Sequence, residues 1–393
     1  MTEWDKEYIK LCKKILKDGV ETDNRTGINT IKIPHYELSF DLRKEFPILT
    51  TKQLFSRQAI LEMLWIWQMS SNDVRELKER DVKIWNEWMV DEDGIYRTYE
   101  PYGNPDPNRE VEVMDPLSLP ITDPFGKFTE IKPKLNEDGS VMKAKSKIEG
   151  KTIRTAKYFG PEYAYTIGTA YGFITGRYGF AENLINTIKN DPTDRRMVKS
   201  LWQDEFLRTA VLPSCVWSTE WDVTNGELSL LVHQRSCDVP LGLPFNVTQY
   251  ATLLKMVAQV TGLKPATISY SIKDVQIYVN QVEGVKEQIM HANRYNKFSK
   301  MDRNDLEKLK VILKEKMDGV KAKNPENYKK TREYQLIESE YNTVDMVLEP
   351  TKPELWLNPE VDNFFDFDNS KECKDAKILN YKHMGKISFD VAQ

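Results

Sequence analysis

Residues 212–250 read LPSCVWSTEWDVTNGELSLLVHQRSCDVPLGLPFNVTQY, and three kinds of local structure follow one another within them. Trp217, Thr219, Trp221 and Val223 alternate with polar neighbours, the period of a half-buried strand, which puts all four on one face. Asn225-Gly226 is the dipeptide that a two-residue hairpin turn favours, because both turn positions need positive φ. Starting at Phe245, FNVTQYATLLKMVAQVTG has the length and apolar content of a helix that stops at Gly262. The next stretch, ATISYSIKDVQIYV (residues 266–279), is rich in β-branched and aromatic residues. Hairpin, long helix and strand in succession point to an α+β fold.

Working outward, SRQAILEMLWIWQMSSNDV (Ser56–Val74) reads as one long apolar helix with a serine at its start. FAENLINTIKND reads as a second, stopped where Asp191 meets Pro192. Two blocks break the pattern. From about residue 93 to 166 the chain is rich in Pro, Asp and Gly and reads as an insertion, mostly loop with short strands. From about 291 to 349 it is polar, but Leu306, Leu309, Ile312, Leu313 and Met317 make a helical stripe. Asn304 and Glu307 resemble a capping box at its start, and Gly319 closes it. The expectation is one α+β domain over residues 1–393 with insertions at about 93–166 and about 291–349.

The bulk numbers exclude several classes. Hydrophobic residues make up 40% and charged residues 30% of the 393, a globular balance. A net charge of −4 leaves no footprint of general nucleic-acid binding. No run approaches the roughly 18 apolar residues of a membrane span. The first residues, MTEWDKEYIK, are charged where a secretory leader is apolar. Cys12, Cys215, Cys237 and Cys373 have unrelated spacings, which suits a reducing, cytoplasmic setting and neither a disulfide framework nor a zinc site.

Cys215 follows a Pro-Ser step at the start of the strand. It is either a nucleophile or a small buried apolar residue. Glu62 sits between Ala59, Trp65 and Ile66 at helical spacing. A carboxylate on so apolar a face should have a raised pKa, which suits a general acid or base, unless it lies at the edge of the stripe and reaches water. Arg25 lies in a turn-like NRTG, Arg195 and Arg196 are adjacent in DPTDRRMV, and Arg235 stands next to the hydroxyl of Ser236. Singly these are ordinary surface cations; together near strand and turn ends they can cradle a phosphate, and around Cys215 they would favour its thiolate. Asn246 either reads a base edge, since an amide both donates and accepts, or caps a helix.

LPSCVW, QRSCDVPLGLPFN, LEMLW, IWNEW, AYGF, DRRMV and the closing ELWLNPEV and NYKHMGKISFDVA together resemble the thymidylate synthase superfamily, over the whole chain except the two insertions. The resemblance implies a large mixed or antiparallel sheet packed by long helices. It makes Cys215 the nucleophile toward C6 of a pyrimidine. Arg25, Arg235 and Ser236 would hold the 5′-phosphate, with Arg195 and Arg196 supplied by the second subunit of a homodimer. Glu62 would run proton transfers and Asn246 would read the base. Asp274, Gln276 and Tyr278 would lie along the ribose, while Trp85, Tyr171, Asp238, Leu241 and Phe245 would line the folate side. The substrates implied are dUMP and 5,10-methylenetetrahydrofolate, without a metal, nucleic acid or membrane.

Two activities share that superfamily, and they differ in whether a hydride from the folate or water finishes the transferred carbon. Asn246 favours uracil, because the related dCMP hydroxymethylases carry aspartate there. Gln276 stands where synthases usually carry a histidine, and Gln281 where a second is common. The chain closes on Ala392-Gln393 in place of an aliphatic end. Those departures and the two insertions favour a phage-type dUMP hydroxymethylase that makes 5-hydroxymethyl-dUMP for a modified base in a viral host. Thymidylate synthase is the alternative, and a non-catalytic nucleotide-binding homologue is a third reading.

Overall fold

The computed structural model describes residues 1–103 and 105–391. Among the described residues the largest sheet has seven strands, and the core lies between it and the long helices. Helix α1 (Glu3–Asp18) leads into the antiparallel pair β1 (Val20–Thr22) and β2 (Thr30–Asp41). From Ala59 to Trp67 helix α2 (Ser56–Trp67) is apolar except for Glu62, and all of that stretch is buried, as such a helix requires. It stops seven residues before the expected Val74. Ser70 takes φ 52°, which breaks the helical path, and the Asp73 carboxylate caps a separate helix α3 (Val74–Glu79) by accepting the Arg75 N–H.

The block at 93–166 is more ordered than its composition suggests. It carries β3 (Ile95–Tyr99), β4 (Val111–Asp115), β5 (Lys132–Pro133), β6 (Lys143–Ala144) and β7 (Ile153–Tyr158) in a second, five-stranded sheet. Ile95, Val113, Ala144, Ile153 and Ala156 give it a small core of its own. Helices α4 (Gly172–Arg177) and α5 (Phe180–Asn190) follow, α5 ending where Pro192 forbids its continuation.

The edge strand β8 (Val198–Ser200) then pairs with the hairpin of β9 (Val216–Thr224) and β10 (Glu227–Gln234). Asn225 and Gly226 have φ of 53° and 75°, the left-handed pair that the tight turn needs. Trp217 departs from its expected face. A bulge opposite His233 and Gln234 reverses its direction, leaving it 37% exposed and tilted against His233 with ring centres 5.3 Å apart.

After β11 (Cys237–Asp238), helix α6 (Gly242–Thr261) carries the chain back so that β12 (Lys264–Tyr278) lies parallel to β10. The other edge of β12 runs antiparallel to β2, which makes the sheet mixed. Asp274 faces Pro34 there. Proline has no N–H to give the ladder, and Asp274 takes φ 53° at the break.

The block at 291–349 is helical. It takes the end of α7 (Val282–Phe298), then α8 (Arg303–Lys323) and α9 (Arg332–Leu348). The cap of α8 is Asp302, whose carboxylate accepts the Asn304 N–H, while Glu307 pairs with Arg303 instead of closing a box. Gly319 does not end α8, which runs four residues further. Leu306, Leu313 and Met317 are buried as expected, whereas Ile312 lies off the stripe and is exposed. His291 fastens this excursion to the body, bonding the Thr51 carbonyl and the Ser339 hydroxyl at 2.8 Å each. The strands β13 (Glu354–Leu357) and β14 (Ala376–Leu379) form a last hairpin.

Candidate active site

Cys215 immediately precedes β9, at the point where the strand leaves the Pro213-Ser214 step. Its sulfur is half-buried, and its backbone is held on both sides. The Cys215 N–H donates to the Tyr171 hydroxyl at 2.7 Å, and its carbonyl accepts the Arg235 N–H at 2.9 Å. The Arg235 side chain wraps this corner. Nε donates to the Ser214 carbonyl at 3.1 Å, Nη2 to the Pro213 carbonyl at 2.5 Å, and Nη2 stands 3.8 Å from Sγ. A fixed cation so close favours developing negative charge on the sulfur. The same guanidinium lies over the Trp202 ring at 5.6 Å.

Ser236 and the kink of β12 form the next group. The Ser236 hydroxyl donates to Asp274 at 3.1 Å, Gln276 Nε2 donates to that hydroxyl at 3.4 Å, and Lys32 pairs with Asp274 at 2.9 Å. Pairing of β11 with β12 sets Asp238 beside Gln276. Asp238 accepts the Leu241 N–H and the Gln281 amide at 3.1 Å each. Burial pushes its carboxyl up to about 6, with those bonds and the Lys52 cation opposing. Burial likewise pushes the Lys52 ammonium down to about 8 and the Tyr278 hydroxyl up to about 12. Arg25 is exposed in the turn between β1 and β2, and its charge acts against the Tyr278 shift.

Helices α2 and α6 pack together and bring the third group. Glu62 is 6% exposed and accepts from Trp85 Nε1 at 2.8 Å and Gln249 Nε2 at 2.5 Å. Desolvation raises its carboxyl to about 7, and the two hydrogen bonds limit the rise. The edge-of-stripe alternative for Glu62 is thereby set aside. Because α6 starts at Gly242, Asn246 lies inside the helix and caps nothing. Its Oδ1 accepts from Gln234 at 3.2 Å and its Nδ2 donates to Gln249 at 3.1 Å. Trp85 also faces Tyr171, with ring centres 5.4 Å apart, and Trp88 at 5.6 Å, an apolar wall beside the carboxyl. Phe245 is half-buried in the first turn of α6.

Not every expected residue joins this cluster. Arg195 and Arg196 stand exposed before β8, and the Arg196 side chain is 85% exposed with its guanidinium on Asp194 at 2.8 Å. Gln249 and Gln234 join this network but carried no sequence signal beyond helical spacing from Asn246 and strand spacing from Ser236, and Lys52, bonded to the Pro240 carbonyl, carried none. The buried Ser214 Oγ and Gln234 Oε1 have no hydrogen-bond partner among the described residues, so polar capacity remains beside the sulfur for a polar ligand. Among the described residues no group of three or more His, Cys, Asp or Glu is placed to hold a metal ion, and no helix is long and apolar enough to cross a membrane.

A half-buried thiol beside a fixed cation, a buried carboxyl raised to about 7 and the Asn246 amide bonded into the same network are groups whose chemistry suits attack through sulfur and proton transfer. The sequence profile of the family described as thymidylate synthase matches residues 6–337. A thymidylate synthase of Clostridium beijerinckii is 32% identical over 392 residues, covering 100% of both chains, and thymidylate synthase 1 of Bacillus subtilis is 29% identical over 411 residues with the same coverage. Among solved structures, thermostable thymidylate synthase A from Bacillus subtilis superimposes with a TM-score of 0.62 at 27% identity, over 100% of each chain. The chain belongs to the thymidylate synthase family. At the level of the family its chemistry is folate-dependent transfer of a one-carbon unit to dUMP, with 5,10-methylenetetrahydrofolate as cosubstrate.

Proposed function

We propose that the protein is a thymidylate synthase, converting dUMP and 5,10-methylenetetrahydrofolate into dTMP and dihydrofolate. Cys215 adds to C6 of the uracil, which makes C5 nucleophilic toward the one-carbon unit. Arg235 stands beside the sulfur as it attacks, and Tyr171 fixes the Cys215 backbone. Glu62, poised near neutrality, transfers the protons that C5 must lose and the base must gain and release. Asn246 reads the O4 and N3 edge. Arg25, Arg235 and Ser236 take the phosphate, and Arg195 and Arg196 reach it from the partner in a homodimer, which fits their exposure in one protomer. Asp274, Gln276 and Tyr278 line the ribose. Trp85, Tyr171, Asp238, Leu241 and Phe245 line the folate side, and the aromatic wall keeps water from the transferred carbon. Residues 1–393 act as one catalytic domain, working in the cytoplasm.

One observation carries the choice of synthase over hydroxymethylase: the likeness to proteins named thymidylate synthase runs the whole length of both chains. The two polar blocks are therefore matched in length within such proteins and are no argument for admitting water. Of the other supports for hydroxymethylation, Ala392 and Gln393 lie outside the described residues, while Gln276 and Gln281 bond Ser236 and Asp238, contacts that do not distinguish hydride from water. The test is to incubate the protein with both substrates and follow dihydrofolate absorbance together with the mass of the nucleotide. Dihydrofolate and dTMP in equal amounts support the reading. Tetrahydrofolate with a product heavier than dTMP by one oxygen overturns it in favour of 5-hydroxymethyl-dUMP.

A further inference from the structure

Gln249 is 3% exposed on α6, one turn beyond Asn246, and it bonds two residues that have different tasks in the proposed reaction. Its Nε2 donates to Glu62 at 2.5 Å, and its Oε1 accepts from Asn246 Nδ2 at 3.1 Å. The chain of amides continues to Gln234, whose Nε2 donates to Asn246 Oδ1 at 3.2 Å and to the Ser236 carbonyl at 3.1 Å.

The sense of the amides in that chain follows from its two ends, since the Ser236 carbonyl, like the ionised Glu62 carboxylate, only accepts. An ionised carboxylate only accepts, so Gln249 must turn its NH₂ to Glu62 and its oxygen to Asn246. Asn246 must then give its NH₂ to Gln249 and keep its oxygen toward Gln234. A free asparagine can rotate half a turn at little cost and present either polarity to a base. Uracil offers an acceptor at O4 and a donor at N3, and cytosine offers the reverse. An asparagine locked in one sense matches one of them.

We propose that Gln249 is a positioning residue that fixes the polarity of Asn246 by tying it to Glu62, and so sets the preference for uracil over cytosine. This rests on the assignment of Glu62 and Asn246 made above. The same bond holds the charged form of Glu62, whose remaining partner is the Trp85 indole. Tyr250 on α6 feels that charge and Tyr171 stands across Trp85, and no salt bridge reaches the carboxylate among the described residues. Loss of Gln249 therefore has two separate consequences, one for base choice and one for proton transfer.

The experiment compares kcat/KM for dUMP and dCMP, from pH 5.5 to 9, for the wild type, Gln249→Met and Asn246→Asp. Gln249→Met keeps the length of the side chain and removes both bonds. The dUMP-to-dCMP ratio should fall roughly tenfold, the worth of one hydrogen bond. The limb of the kcat profile that reports Glu62 should move up by about one pH unit, since a hydrogen bond to the charged form is lost. A drop in rate with ratio and profile unmoved would leave Gln249 a packing residue and overturn the proposal. If Asn246→Asp also leaves the ratio unchanged, the base-reading role of Asn246 fails instead. Should Gln249→Met not fold, Gln249→Asn, which keeps the amide but is too short to bridge both partners, is read in the same way.

Discussion

Replacing Glu62 by glutamine should make the protein inactive and, at neutral pH, more stable. The carboxyl titrates at about 7 in the fold against an ordinary 4.5, because its helix is buried on all sides. Below pH 4.5 both folded and unfolded chains hold the proton, and the stabilising contribution of the protonated carboxyl is fully present. As pH rises through 7 the unfolded chain has already released its proton, and the fold must hold a buried charge. Between pH 5 and pH 7.5 that withdraws about 2 kcal/mol of stability from the wild type. Glu62→Gln has no such titration. Its amide must also face the NH₂ of Gln249, and reversing the amide chain costs about 1 kcal/mol, equally at both pH values. Urea unfolding of both proteins at pH 5 and pH 7.5 isolates the titration, because packing differences cancel in the comparison. The stability gap should shift by about 2 kcal/mol in favour of the variant at the higher pH. A gap that stays constant within about 0.5 kcal/mol would refute a buried, neutral-range carboxyl at this position. Turnover should fall by about 10² or more, the usual worth of a general acid–base group.

Asn246→Asp offers a carboxylate where cytosine presents its amino group, so kcat/KM for dUMP should fall at least about tenfold while that for dCMP rises; parallel losses on both nucleotides would argue against base reading. Tyr171→Phe removes the acceptor of the Cys215 N–H and should lower kcat by roughly tenfold or more, the cost of an unsatisfied buried donor; an unchanged kcat would mean that this bond does not position the nucleophile. Shared sites predict complementation. Mixing Cys215→Ser chains with Arg195→Ala/Arg196→Ala chains, refolded together, should recover roughly a quarter of wild-type activity, because half the dimers are mixed and each has one complete site. No recovery would place those arginines in their own subunit.

What the sequence revealed followed from local rules. The β9–β10 hairpin was legible because Asn225-Gly226 allows little else between two alternating runs, and α5 because Pro192 ends it. Glu62 was legible as a perturbed carboxyl because Ala59, Trp65 and Ile66, at helical spacing from it, are apolar. Errors arose where a single backbone event overrode periodicity. The bulge at Trp217 turned one residue to the other face, positive φ at Ser70 ended α2 early, and Asp302 outcompeted Asn304 as the cap of α8. The sheet at 93–166 was understated because its strands run from two to six residues and its composition is dominated by turns. Within the site, single residues could be nominated but their wiring could not. The bonds from Gln249 to Glu62, from Tyr171 to Cys215 and from Gln281 to Asp238 join residues far apart in the chain and exist only after the helices and strands have packed.

In the proposed reaction the transferred carbon is completed by hydride and not by water. Deuterium placed on the hydride-donating carbon of methylenetetrahydrofolate tests it in one turnover with dUMP, read by mass spectrometry of the nucleotide. A synthase yields dTMP carrying one deuterium in its methyl group, together with dihydrofolate. Formation of 5-hydroxymethyl-dUMP without deuterium, with the label retained in tetrahydrofolate, would contradict the account.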